Sequence, residues 1–255
     1  TETRSKELKV ATWNVRTMAA QKANGIGHAE DLLLLADKLD VSSLGIQETR
    51  RDGRISFEAP TTGYTVYCSG HCGGDRGRPG LLGVGLAVSY AIASEVVDPI
   101  DPEHISARLM KVRVTFKLRA VKTFILGHAP TENASVKDKG RFWSTLHSTT
   151  ALVPRKEHLI IMVDANARTG KRGDGGGHGV TQALGAYGRD VLNDNGEKLL
   201  EYESGCELAI INTFFSTPKR GENSVSHTFL GPLPGQRWRL DYILARQLDR
   251  RLVRN

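Results

Sequence analysis

Apolar runs in this chain end on residues that can hold metal ions and phosphates. Asn14 closes LKVATWN, Glu48 closes LGIQE, His128 closes FILGH, Asp164 and Asn166 close HLIIMVDAN, and Asp241 stands within RLDYIL. A carboxylate or amide directly after an apolar run gains nothing from core packing, so it must be hydrogen-bonded, metal-bound or solvent-facing. For any one of these residues a strand-end cap is a sufficient account. Taken together they are types that bind Mg²⁺ and phosphate, and that shifts the reading toward a site. Phosphoryl chemistry needs neutralised charge, an oriented nucleophile and a stabilised leaving oxygen. Mg²⁺ takes hard oxygen ligands and keeps several waters, so one or two carboxylates suffice. Asp164 is a suitable positioned acceptor for an attacking water. Arg16 and Arg50, beside Asn14 and Glu48, are candidate phosphate clamps, with exposed solubilising arginines as the alternative.

The elements that would carry these residues alternate between strands and helices. Leu8–Asn14 reads as a buried strand, Glu30–Leu39 as a helix and Val41–Gln47 as a second buried strand, together a βαβ-like unit. Tyr64–Cys68 and Leu81–Ser89 read as strands around a glycine-rich loop. Arg108–Leu118 alternates apolar with polar residues, as a half-buried strand does, and a short turn joins it to the strand Val121–Gly127. Lys137–Ala151 fits a helix and His158–Val163 a buried strand. Asp194–Ser204 fits a helix capped by Asp194 with Glu197, ended by Gly205. Leu208–Phe215 and Arg239–Ala245 are the last strands. Hairpins mixed with crossover helices predict an α/β fold of mixed or packed sheets with helices outside. With no convincing linker, residues 1–255 are expected to form a single domain.

Composition narrows the function classes. Apolar residues make up 39% of 255, an ordinary globular value. No apolar stretch approaches the roughly 20 residues that span a bilayer. Cys68, Cys72 and Cys206 are too few for a disulfide framework, which fits a reducing compartment. Cys68, His71 and Cys72 have no second ligand pair and read as a surface loop. The net charge of +7 favours polyanionic partners. From Arg237 to Asn255 there are six Arg against two Asp, either a solvated basic face or a nucleic-acid contact. The glycine-rich basic loops 69–80 and 168–179 are candidates to touch a nucleic-acid backbone, with flexible surface as the even alternative. Trp238, interleaved with Arg237 and Arg239, reads as core packing beside the last strand, with contact along DNA as the lesser alternative.

The ordered motifs WNV (13–15), QET (47–49), HAPTEN (128–133), VDANAR (163–168), NTFF (212–215), SHTFL (226–230) and RLDYIL (239–244) resemble those of the endonuclease/exonuclease/phosphatase superfamily, which includes deoxyribonuclease I and exonuclease III-type enzymes. The wording LKVATWNVRTM, HAPTEN and LDYIL most resembles the endonuclease domain of RTE-type non-LTR retrotransposons and their domesticated relatives. The resemblance implies a four-layer sandwich of two mixed sheets flanked by helices. It also implies hydrolysis of DNA phosphodiesters with Mg²⁺ or Mn²⁺. Carried over residue by residue, Glu48 becomes the principal metal ligand, with Asn14 nearby on metal or phosphate. Asp164 orients or deprotonates the water, Asn166 holds the scissile phosphate or supports that water, and Asp241 orients a catalytic histidine. His128, where many relatives carry Tyr, donates to a phosphate oxygen. Asn212 joins Arg16 and Arg50 in binding substrate phosphate.

One departure stands out. Relatives close with Ser-Asp-His on a late strand, and no such motif follows RLDYILARQLDRRLVRN. The chain starts at Thr1 without Met and ends in a charged segment, so it is expected to be C-terminally incomplete and to lack its last strand. A reverse transcriptase domain would follow in the intact protein, whose expected location, from its substrate, is the nucleus. Two alternatives remain open: a catalytically weakened, domesticated module that binds nucleic acid or a protein assembly, and a phosphatase of the same superfamily.

Overall fold

In a computed structural model the chain is described at residues 7–16, 18, 27–51, 53–70, 82–117, 120–170, 183–187, 191–216, 227–231 and 233–254. The glycine-rich loops therefore lie almost wholly outside the described residues, as does Cys72.

β1 (Val10–Asn14) leads to α1 (Gly27–Lys38), whose apolar positions Ala29, Leu32, Leu33 and Ala36 recur at helical spacing and are buried. β2 (Ser43–Gln47) follows and runs parallel to β1, as a βαβ unit requires. β3 (Ile55–Ala59), β4 (Tyr64–Ser69) and β5 (Val84–Ser89) complete a five-stranded sheet in the order β1-β2-β5-β4-β3. β1 is one edge of this sheet, and its Trp13 is 45% exposed.

After the one-turn α2 (Tyr90–Ala93), the second sheet begins with β6 (Pro102–Ser106), β7 (Leu109–Thr115) and β8 (Val121–His128). β7 carries the alternation seen in its sequence, with Val112 and Val114 buried and Arg113 exposed between them. α3 (Val136–Ala151) crosses to β9 (His158–Asp164), parallel to β8, and α4 (Asp194–Gly205) leads to β10 (Leu208–Ile210). A separate hairpin pairs β11 (Phe229–Leu230) with β12 (Arg237–Trp238). β13 (Asp241–Arg246) inserts antiparallel between β9 and β10, giving the order β10-β13-β9-β8-β7-β6.

The expected layers are present. α1 covers one face of the first sheet, and α3 and α4 cover the outer face of the second. The inner faces meet through Val84, Leu86, Met110, Val112, Leu126 and Met162. A Cβ added at Gly45 would lie 2.7 Å from Met162 Cβ, so the packing of the two sheets at this point requires glycine.

Several expected details differ. The strand expected over 208–215 ends at Ile210 and becomes a 3-10 turn over Ile211–Thr213. The apolar run conceals Asn212 and Thr213, whose side chains hydrogen-bond nearby and distant backbone instead of continuing a ladder. α4 is capped by Asn193, whose side chain accepts from Gly196 N at 2.9 Å, while Asp194 pairs with Lys139 at 2.5 Å. Trp238 lies on the β11–β12 hairpin, half-buried, rather than in the core. The strands β3 and β6, of five residues each, and the two-residue strands of that hairpin are too short to stand out in the sequence.

Candidate active site

Strand register brings the polar residues together. His128 and Asp164 are partners at the ends of the parallel strands β8 and β9, and Asp241 opens β13 directly opposite Asp164. From the other sheet, Asn14 ends β1, and Glu48 follows the last residue of β2. The two sheets thus present their strand ends at one edge, where α/β proteins commonly bind ligands.

Asn14 joins the sheets chemically. Its Nδ2 donates to Glu48 Oε1 at 2.9 Å and to Asp164 Oδ2 at 2.7 Å. Its Oδ1 accepts from Arg16 N at 2.9 Å. Asp164 Oδ1 accepts from Asn166 N at 3.0 Å, so both carboxylate oxygens are fixed. Arg50 Nη2 reaches Glu48 Oε2 at 2.6 Å. His128 Nε2 lies 4.0 Å from Glu48 Oε1 and 3.9 Å from Asp164 Oδ2, and its Nδ1 is buried without a hydrogen-bond partner among the described residues.

The backbone is under strain here. Arg16, Glu48, Arg50 and Asn166 all adopt left-handed conformations, with φ of 58°, 57°, 48° and 47°. Only Asn tolerates this region readily, so each of the others is held there by its surroundings. Thr49 N and Arg50 N donate to Gly83 O and Leu82 O, and Met18 N donates to Thr49 O. These bonds hold the turn that presents Glu48.

Burial and like charge dominate the electrostatics. Asp164 and Asp241 are only 4% and 5% exposed. Burial raises the Asp164 pKa against the opposing pull of His128 and the hydrogen bond from Asn14. Burial, then Asp164 and Glu48, raise Asp241 to about 8, although a hydrogen bond with Thr228 opposes the rise. Burial lowers the His128 pKa and so favours a neutral imidazole.

The structure also places residues that the motif reading missed. Arg108, in the β6–β7 turn, donates to His128 O at 3.1 Å, and its charge faces Glu48 and Asp164. Thr228 Oγ1 accepts from Asp241 N at 3.1 Å and Leu240 N at 2.9 Å. Buried Asn195 donates to Pro130 O at 2.9 Å and Asn166 O at 3.3 Å, and Glu132 of HAPTEN accepts from Asn193 Nδ2 at 2.7 Å. The apolar–polar boundary in SHTFL could have flagged Thr228. Arg108 carries no local signal, because its role depends on the β7–β8 register.

Two expected roles meet a different geometry. Asn212 donates to Asp241 O at 3.0 Å and accepts from Ile243 N at 3.4 Å, so its amide braces β13. The expected role of Asp241 is to orient a histidine, but among the described residues its Oδ1 has no hydrogen-bond partner. Asn166 keeps one amide hydrogen bond, to Ala129 O at 2.9 Å. Arg16 is exposed, with its guanidinium over the Phe229 ring.

A divalent cation fits this donor set. Glu48, Asp164 and Asp241 bring like charge into one buried edge, and one carboxylate oxygen is left without a partner among the described residues. Among those residues no three Asp, Glu, His or Cys side chains form a metal cage. An ion that keeps most of its waters, held by one or two carboxylates, suits that arrangement.

A family model described as "Endonuclease/Exonuclease/phosphatase family" matches residues 11–254. The chain is 27% identical over 251 residues to "Craniofacial development protein 2" of Bos taurus, covering 98% of the chain and 38% of that relative's length. Among solved structures it is similar to an AP endonuclease from Archaeoglobus fulgidus, with a TM-score of 0.56 and 18% identity over 96% of this chain and 89% of that one. It is also similar to a 3' phosphatase, NExo, from Neisseria bound to product DNA hairpin, with a TM-score of 0.57 and 13% identity over 96% and 89%.

Proposed function

The chain belongs to the endonuclease/exonuclease/phosphatase family, and on that premise we infer that it hydrolyses DNA phosphodiester bonds with a divalent metal, Mg²⁺ or Mn²⁺. The activity would be nicking of a target strand, as by the endonuclease domain of an RTE-type non-LTR retrotransposon. One observation carries this reading. Asn14, from one sheet, bridges Glu48 and Asp164 across the sandwich with both oxygens of Asp164 fixed.

Glu48, with Asn14 beside it, would hold the cation. Bound there, the cation supplies positive charge to the phosphate oxygens. Asp164 accepts the proton of the attacking water, and its raised pKa brings it nearer the working pH of a general base. Neutral His128, aimed between Glu48 and Asp164, donates one N–H to a non-bridging phosphate oxygen. The second N–H of the Asn166 amide is directed by its bond to Ala129 O. Arg16 and Arg50 supply positive charge at the rim, and Asn212 and Thr228 hold Asp241 in register.

A second reading has its own support. Asp241 Oδ1 lacks a partner among the described residues, as it would in a module whose hydrolysis is weakened and whose work is binding nucleic acid or a protein assembly. A reverse transcriptase domain elsewhere in the intact protein, and a nuclear location, accompany the retrotransposon reading. Relaxation of supercoiled plasmid with Mg²⁺ tests the nuclease. Release of phosphate from phosphomonoesters without nicking would point to a phosphatase of the same family.

A further inference from the structure

The β11–β12 hairpin carries an aromatic pair with an arginine on each ring. Phe229 and Trp238 are cross-strand partners, stacked at 5.7 Å with an interplanar angle of 2°. The Arg16 guanidinium lies over Phe229 at 5.6 Å, and that of Arg168 lies over Trp238 at 5.5 Å. Both are within the range of a cation–π contact. Among the described residues neither guanidinium is paired with a carboxylate.

The origin of these arginines gives the cluster its meaning. Arg16 is two residues after Asn14, and Arg168 is two residues after Asn166. The loops that carry both site asparagines therefore each send a cation onto the same pair of rings. The hairpin is tied to the site by Thr228, which accepts from Asp241 N. A flat guanidinium resting on a ring keeps its edge N–H groups free, and the ring fixes its direction before a ligand arrives. A small phosphomonoester has no second phosphate to offer these cations, whereas a nucleic-acid strand offers one per nucleotide, about 3.4 Å apart along the axis.

We propose that Arg168 and Arg16 grip DNA phosphates flanking the scissile bond, with Trp238 and Phe229 as positioning residues that pre-orient them. The proposal rests on the nuclease reading of the same site and deepens it: the substrate is a strand of several nucleotides.

The test is the affinity of the protein for a fluorescent DNA duplex, by anisotropy in EDTA over a salt series, so that cleavage plays no part. Arg168→Gln should weaken binding and flatten the slope of log affinity on log salt by about 0.9, the loss of one phosphate contact. Trp238→Leu should weaken binding with the slope retained, because the charge stays and only its orientation is lost. Trp238→Phe should restore it. The Arg168→Gln, Trp238→Leu double variant should bind no more weakly than Arg168→Gln alone. Circular dichroism melts establish that each variant is folded. An unchanged affinity and slope in Arg168→Gln, additive losses in the double variant, or no DNA binding by the intact protein overturns the proposal. Absence of nicking with these binding effects intact would overturn the nuclease reading alone.

Discussion

Asp164 and Asp241 face each other as direct partners across the antiparallel ladder of β9 and β13, at 4% and 5% exposure. Two buried acids at such a position repel when both are ionised. Burial and the negative neighbours accordingly lift Asp241 from an ordinary 3.8 to about 8. Folding without metal therefore traps a proton that the unfolded chain would release. Between about pH 4 and pH 8 the folded state binds more protons than the unfolded one, so stability falls as the pH rises.

Asp241→Asn removes this cost while keeping the shape. In EDTA the variant should melt above the parent at pH 8, and the advantage should shrink toward pH 5. Thermal melts at both values check this, and a pH-independent difference would count against the assigned repulsion.

Asn14 separates Glu48 from Asp164 with one amide. Asn14→Ala leaves two carboxylates without their shared donor, a loss of about 1–3 kcal/mol. Because Asn14 also stands beside Glu48 in holding the cation, added Mg²⁺ should raise the melting temperature of the variant less than that of the parent. Melts with and without Mg²⁺ measure this.

Gly45 sits where the first sheet packs against Met162 of the second. Gly45→Ala places a methyl group against Met162 and should cost about 1–3 kcal/mol by overpacking. Urea unfolding reads the change, and a neutral result would contradict the described approach.

Asn195 links α4 to the site. Asn195→Ala leaves the carbonyls of Pro130 and Asn166 without this donor, and should destabilise the fold by about 1–3 kcal/mol. It should also slow nicking at saturating DNA, because the Asn166 loop loses its anchor. Urea unfolding and single-turnover nicking measure the two effects.

The sequence exposed the site more fully than the connections that brace it. Asn14, Glu48, His128, Asp164 and Asp241 were legible because each polar residue interrupts or ends an apolar strand, and adjacent strands bring such boundaries to one edge. β7 was legible for the same reason of period. Asn212 shows the limit: its residue type suits a phosphate, yet its neighbours in space are the backbone groups of Asp241 and Ile243. Arg108 shows the converse. It lies 20 residues from His128 in sequence, and only the β7–β8 hairpin brings its guanidinium to the site. Trp238 reads as core from its apolarity, but its strand belongs to a two-stranded hairpin outside both main sheets.

The central claim is that Glu48 and Asp164 serve metal-dependent cleavage of DNA. Its most direct test is the nicking of supercoiled plasmid with Mg²⁺ by the intact protein, by Glu48→Ala and by Asp164→Ala. Nicking by the intact protein that EDTA abolishes is expected, with rates lower by about 10²-fold or more in each variant. No nicking by the intact protein, or equal nicking by all three, would contradict it.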